Sequence, residues 1–178
     1  MSKRALIAFP LFLVLYELVL YFSNDAYLPA MVNIAHYFNQ PTTGVIITLT
    51  AFFIGNMCLQ LVMGPISDSL GQRAVLMIGG LIFIVGCLLC ATTASFSLFL
   101  VGRFCQGLAV CTLSIAGYGA LHNALEDNAA MKTLSWMQTV AVLAPAFGPL
   151  LGAIWLHYYS WSSLFWALQL LALALLVA

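Results

Sequence analysis

Glu17 and Asp25 are the residues whose chemistry needs explaining, because both lie inside the long apolar stretch Phe9–Phe38. A charged side chain at membrane depth costs at least ~2.5–3.5 kcal/mol on insertion scales, so each acid needs a partner, a water-filled cavity or a proton. On a helix, the step from Glu17 to Asp25 is about 12 Å along the axis and about 80° around it. Tyr21 stands midway between them and Asn24 extends the row. One helix face thus carries acid, phenol, amide and acid, a stripe suited to protons and to cationic or polar cargo. The competing readings are a static acid neutralised by an arginine or hydroxyl, and for Tyr21 an interfacial or packing aromatic.

Arg103 poses the same problem with the opposite sign. It falls roughly 9 Å inside the boundary of another apolar segment. An arginine does not discharge, so it must meet an anion, a carbonyl or water. It can tune nearby acids or anchor a hydrogen-bond network; a purely structural partner is the alternative. Gln106 sits one turn further along the same face.

Other reactive types lead nowhere comparable. The five cysteines (Cys58, Cys87, Cys90, Cys105, Cys111) all fall in apolar segments. Cys87-x-x-Cys90 has redox spacing but sits mid-helix without a βαβ context, so these read as small packing residues. His36, His122 and His157 fall at expected helix ends, solvated or interfacial, and none are paired at metal-ligand spacing. No metal and no cofactor are expected.

The elements that carry these residues follow from composition. Apolar residues make up 64% of the chain and charged residues 6%, against about 45–50% and 25% in soluble domains. That places the chain in the membrane class, and a net charge of zero leaves no basic face for nucleic acid. Segments of about 20 apolar residues predict spanning helices near 7–36, 44–66, 74–94, 97–122, 131–157 and 161–178. Short connections make neighbours antiparallel. The first segment is too long for a signal-peptide core and contains Glu17, which predicts a retained helix.

Charge placement sets the orientation. Lys3 and Arg4 precede the first helix, Asp68 and Arg73 mark the second connection, and Glu126, Asp127 and Lys132 the fourth. The first, third and fifth connections hold no Lys or Arg. By the positive-inside rule the amino terminus and the even connections are cytoplasmic. The last segment runs to Ala178 with no polar or basic flank, which points either to a piece of a longer chain or to a natural product reduced from one.

Four motifs in register then resemble the major facilitator superfamily. Gly64-Pro65-Ile66-Ser67-Asp68-Ser69-Leu70-Gly71-Gln72-Arg73 is similar to its signature loop between helices two and three. Arg103-Phe104-Cys105-Gln106-Gly107 is similar to its fourth-helix motif. Ala144-Pro145-Ala146-Phe147-Gly148-Pro149-Leu150-Leu151-Gly152 resembles the fifth-helix motif of proton-coupled drug antiporters, and Asn24-Asp25 with Pro29 the first-helix motif of that group. Phe9-Pro10, Leu13–Glu17, Gly117-Tyr118 and Trp155-x-His157 narrow the resemblance to the multidrug facilitator A type, over its first six helices.

That resemblance implies an all-α membrane fold: the amino-terminal six-helix bundle, a 3+3 inverted repeat, with the carboxyl-terminal bundle absent. It implies export of lipophilic, cationic or neutral drugs in exchange for protons from a bacterial inner membrane, with the proton gradient as energy source. Glu17 and Asp25 would couple protons. Tyr21, Asn24 and Asp25 would meet cargo, and Arg103 with Gln106 would act as charge partner. Gly64, Asp68, Gly71 and Arg73 would form a cytoplasmic gate, short of the basic residues that Ser69 and Gln72 replace. Pro145, Gly148, Pro149 and Gly152 would form a hinge or seal in which packing and function coincide.

The partners implied are drug-like molecules, protons, lipid, and either the missing half or a second copy. Rival readings are a homodimeric six-helix carrier, a nonfunctional remnant and, remotely, an intramembrane enzyme. For the enzyme neither Gly-x-Ser-x-Gly nor His-Glu-x-x-His is present.

Overall fold

A computed structural model describes the backbone of residues 3–177 and side chains from residue 8 onward. The side chains of Lys3 and Arg4, and Ala178, lie outside the described residues. Apolar segments without water must satisfy their backbone groups internally, and these do so as helices. The described residues form ten α-helices and no strand.

Helix α1 (Lys3–Asp25) leads through a 3₁₀ turn, Leu28–Ala30, into α2 (Met31–Tyr37). The break has a covalent cause. Pro29 carries no N–H, so the Asp25 carbonyl loses its donor one turn on, and the Ala30 N–H donates instead to the Tyr27 carbonyl at 2.9 Å. The hydrogen-bond pattern therefore changes from α to 3₁₀ just after the second acid of the stripe, while Tyr27 and Ala30 keep right-handed helical angles. The second column comprises α3 (Thr42–Val45), α4 (Ile47–Cys58) and α5 (Gln60–Leu70), with a 50° bend between Cys58 and Gln60. Then come α6 (Gln72–Thr92) and α7 (Phe96–Thr112). A π turn over Leu113–Gly117 joins α7 to α8 (Tyr118–Ala124), followed by α9 (Asp127–Tyr158) and α10 (Trp161–Val177).

Four stretches are long and apolar enough to cross a membrane: Ala8–Tyr37, Gln72–Thr92, Phe96–Ala124 and Asp127–Tyr158. The bent pair Thr42–Cys58 and Gln60–Leu70 makes a fifth. The sixth expected span is a shorter apolar helix of 17 residues, about 26 Å of rise against a hydrocarbon core of about 30 Å. The second connection also differs from expectation. Asp68 sits in the last turn of α5 rather than in a loop, and Gly71 alone separates α5 from α6. Its φ of 85° and ψ of 138° suit only glycine.

Helix α7 is the hub, and small residues make it so. A Cβ on Gly107 would collide with the Phe52 carbonyl of α4, and one on Gly55 with the Phe104 carbonyl of α7. A Cβ on Gly86 of α6 would stand 2.8 Å from the Gly102 carbonyl. Backbones this close leave no room for lipid or water, so Arg103 and Gln106 are wholly enclosed. At the carboxyl end of α2, the rings of Phe38, Phe96, Phe99, Trp161 and Phe165 pack in tilted and edge-on pairs and tie α2, α7 and α10 together. Leu61, Val142 and Leu170 lie bare on the outer surface, as lipid contact requires.

Candidate functional site

Arg103 is fully buried and organises one polar network. Its Nη1 donates to the Ser23 carbonyl at 3.0 Å and to Gln106 Oε1 at 2.6 Å, and its Nη2 donates to Asn24 Oδ1 at 3.0 Å. The guanidinium lies 4.4 Å from the centre of the Tyr27 ring and 4.9 Å from that of Phe52, a cation held by two π faces. Gln106 Nε2 donates to Cys87 Sγ at 3.2 Å. Tyr27 Oη donates to Thr48 Oγ1, which donates to the Val45 carbonyl.

Asp25 is joined to this network through its neighbour. Asn24 Nδ2 donates to Asp25 Oδ1 at 3.2 Å while Asn24 Oδ1 accepts a hydrogen bond from Arg103 Nη2. Among the described residues Arg103 forms no ion pair, so the contact between guanidinium and carboxylate runs through a neutral amide. The direct partners of Arg103 are the Ser23 carbonyl, Gln106 and Asn24, and Asp25 is reached through Asn24.

Glu17 belongs to a second, separate cluster. Its Oε1 accepts from Tyr118 Oη at 3.1 Å, and that hydroxyl accepts from Gln138 Nε2 at 3.4 Å. Both acids are buried, Glu17 at 1% exposure and Asp25 at 7%. Each has one oxygen held by a neutral donor and the other, Glu17 Oε2 and Asp25 Oδ2, buried with no partner among the described residues. Tyr21 and Asn24 are half-buried between them, and Gln138 is exposed. The stripe thus runs along the edge where the bundle interior meets an open face.

Helix α9 seats the second acid. A Cβ on Gly148 would stand 2.6 Å from the Asp25 Cβ, and one on Gly152 would collide with the Ala26 carbonyl. The fifth-helix motif therefore lets α9 lie directly on the α1 break. Pro145 is exposed and Pro149 half-buried. The other expected cluster stays apart: Asp68 and Arg73 are exposed and form no ion pair among the described residues, and a Cβ on Gly64 would meet open space. The five cysteines are free, with Cys87, Cys90 and Cys111 buried. His36, His122 and His157 are exposed in the last turns of their helices.

Sequence reasoning missed Tyr118, Gln138, Ser23 and Tyr27 as parts of the site. A phenol and an amide inside apolar segments were the available signals for Tyr118 and Gln138. No local spacing connects Tyr118 with Glu17 across 101 positions of chain.

A buried acid stripe on the first helix, an enclosed arginine on the fourth column and a small-residue fifth helix laid on the first define a membrane-embedded helical bundle with a polar interior. The sequence signature of the Major Facilitator Superfamily matches residues 13–178. The chain belongs to that superfamily, as an integral, multi-pass, all-α membrane protein corresponding to its amino-terminal half. It is 41% identical over 175 residues to the multidrug transporter MdfA of Edwardsiella piscicida, covering 97% of this chain and 42% of that one. It is 36% identical over 165 residues to the MdfA proteins of Escherichia coli O6:H1 and Yersinia pestis bv. Antiqua, covering 93% of this chain and 40% of each of those. The chain therefore spans about two fifths of the length of the relatives it matches.

Proposed function

We propose that this chain forms the amino-terminal wall of a secondary active transporter that exports lipophilic, cationic or neutral drugs in exchange for protons. The observation that carries the proposal is the pair of buried, half-satisfied carboxyls on one helix beside an open face. An orphaned carboxyl oxygen in a dry site is expensive, and a proton or the donor group of a cargo relieves it. Competition between the two for one carboxyl is sufficient to exchange them. The names of the relatives, multidrug transporters in bacteria, support the same reading.

Asp25 is the exchange site in this scheme. Asn24, itself held by Arg103, keeps it beside Pro29, under the small residues of α9. Tyr21 offers cargo a ring and a hydroxyl. The proton gradient supplies the energy. The exposed cations Arg73 and Lys132 fit a cytoplasmic amino terminus, and a helical span places the protein in the inner rather than the outer bacterial membrane. The complementary half of a longer transporter covers the open face, as the length of the relatives suggests.

Drug–proton exchange in vesicles tests this, using the chain joined to the half that completes it. A pH gradient should drive transport of a lipophilic cation, and Asp25→Asn should reduce it by about tenfold or more, equivalent to at least ~1.4 kcal/mol. Unchanged pH-driven transport by that variant would overturn the role given to Asp25. Cross-linking of the bare chain into specific dimers that transport unaided would replace the complementary half with a second copy.

A further inference from the structure

The two acids share an arrangement that no motif announces. In each, one oxygen is engaged by an uncharged donor and the other is buried without a partner among the described residues. For Asp25 the donor is its own neighbour, Asn24. For Glu17 it is Tyr118 Oη on α8, whose hydroxyl in turn accepts from Gln138 Nε2 on α9. A phenol has one proton to give. With its oxygen already accepting from Gln138, that proton is directed to Glu17 Oε1. The titratable groups facing Glu17 are Tyr21 on its own helix and Tyr118 across from it. Helix α9 contributes the neutral Gln138, and no ion pair to the carboxyl forms among the described residues.

We propose that Tyr118 and Gln138 are positioning residues for Glu17: they clamp Oε1 as the hydrogen-bonded carbonyl oxygen and reserve Oε2 as the atom that takes and releases the proton. The O–H bond made at Oε2 on acidification is broken when that proton leaves, while Tyr118 keeps its own proton throughout. The inference rests on the proton-coupled reading above and adds to it the atom used and the two residues that select it.

Infrared difference spectroscopy of the chain in lipid bilayers on acidification tests it. The neutral carboxyl band of Glu17 is the one missing in Glu17→Gln, and that of Asp25 the one missing in Asp25→Asn. A carbonyl that accepts a hydrogen bond absorbs at lower wavenumber than a free one. Tyr118→Phe should therefore move the Glu17 band upward, and Gln138→Ala should move it by less, with the Asp25 band fixed in both. The exposed position of Gln138 makes the second variant safe for folding.

A Glu17 band unmoved by Tyr118→Phe overturns the clamp. A band unmoved by Gln138→Ala alone removes Gln138 from it. Movement of both acids' bands together marks a merely structural role and also overturns the proposal. Absence of any titrating Glu17 band in the unmodified chain would be a different failure, that of proton coupling at Glu17 itself.

Discussion

Arg103 shows how much of the site depends on the shape of one side chain. Two of its nitrogens serve three acceptors on two helices while its flat face meets two rings. Lysine retains the charge but supplies neither the fork nor the plane. Arg103→Lys should lower stability by about 2–4 kcal/mol, since hydrogen bonds to charged groups contribute about 1.5–3 kcal/mol each and lysine can remake some of them. Thermal unfolding in detergent measures this. A variant that melts with the parent would show that the network contributes specificity rather than stability. The orphaned oxygens of Glu17 and Asp25 belong to the same scale: their chemistry is set by which donor each lacks.

At the scale of elements, what matters is which helices touch backbone to backbone. Gly152 permits α9 to lie on the Ala26 carbonyl, and Gly148 permits contact with Asp25 itself. Gly152→Ala should force α1 and α9 apart at the cost of about 1–3 kcal/mol, and should disturb Asp25 without touching it chemically. Gly64→Ala is the control, because its Cβ would meet no other helix, and before Pro65 a helical alanine brings no propensity gain to count on. Urea or thermal midpoints should fall further for Gly152→Ala than for Gly64→Ala. Equal midpoints would remove the steric account of the fifth-helix motif. The π turn at Leu113–Gly117 acts at this scale too. One extra residue in a turn rotates the helix beyond it by about 100°, and that rotation brings Tyr118 to the Glu17 side of its column.

For the whole molecule the open question is which side faces the cytoplasm. The alternation of charged connections predicts that Asp68→Cys and Asp127→Cys face inward and that Asn39→Cys and Ser95→Cys face outward. All four positions are exposed, so each should be reachable from its own side. An impermeant charged thiol reagent added to intact spheroplasts should label the last two only, and should spare Cys87 and Cys90, which are buried. Labelling of the first two would invert the orientation. The bare apolar surface around Leu61 and Val142 also means that the chain should remain dispersed only in lipid or detergent.

Much of this was legible without coordinates, and the boundary is physical. An ionisable group in an apolar run is costly wherever it lies, so Glu17, Asp25 and Arg103 stood out from composition alone. Helical periodicity then put Tyr21 and Asn24 on the row with the acids. Motif order identified the superfamily, whereas the first span, read as one helix over 7–36, changes to a 3₁₀ turn at Leu28–Ala30. Helix ends and bends were less legible: the 50° bend between Cys58 and Gln60 is not at a proline, and Gly71 makes a one-residue connection where a loop was expected. Contacts between distant segments were not legible at all. Spacing along one helix cannot say that Arg103 reaches Asp25 only through Asn24, that Gly152 lies on Ala26, or that Tyr118 and Gln138 hold Glu17. Sequence determined which groups must be satisfied, because desolvation is local and unconditional. Only the tertiary structure decided which partner satisfies each, because that depends on helix rotation and on the distance at which two backbones meet.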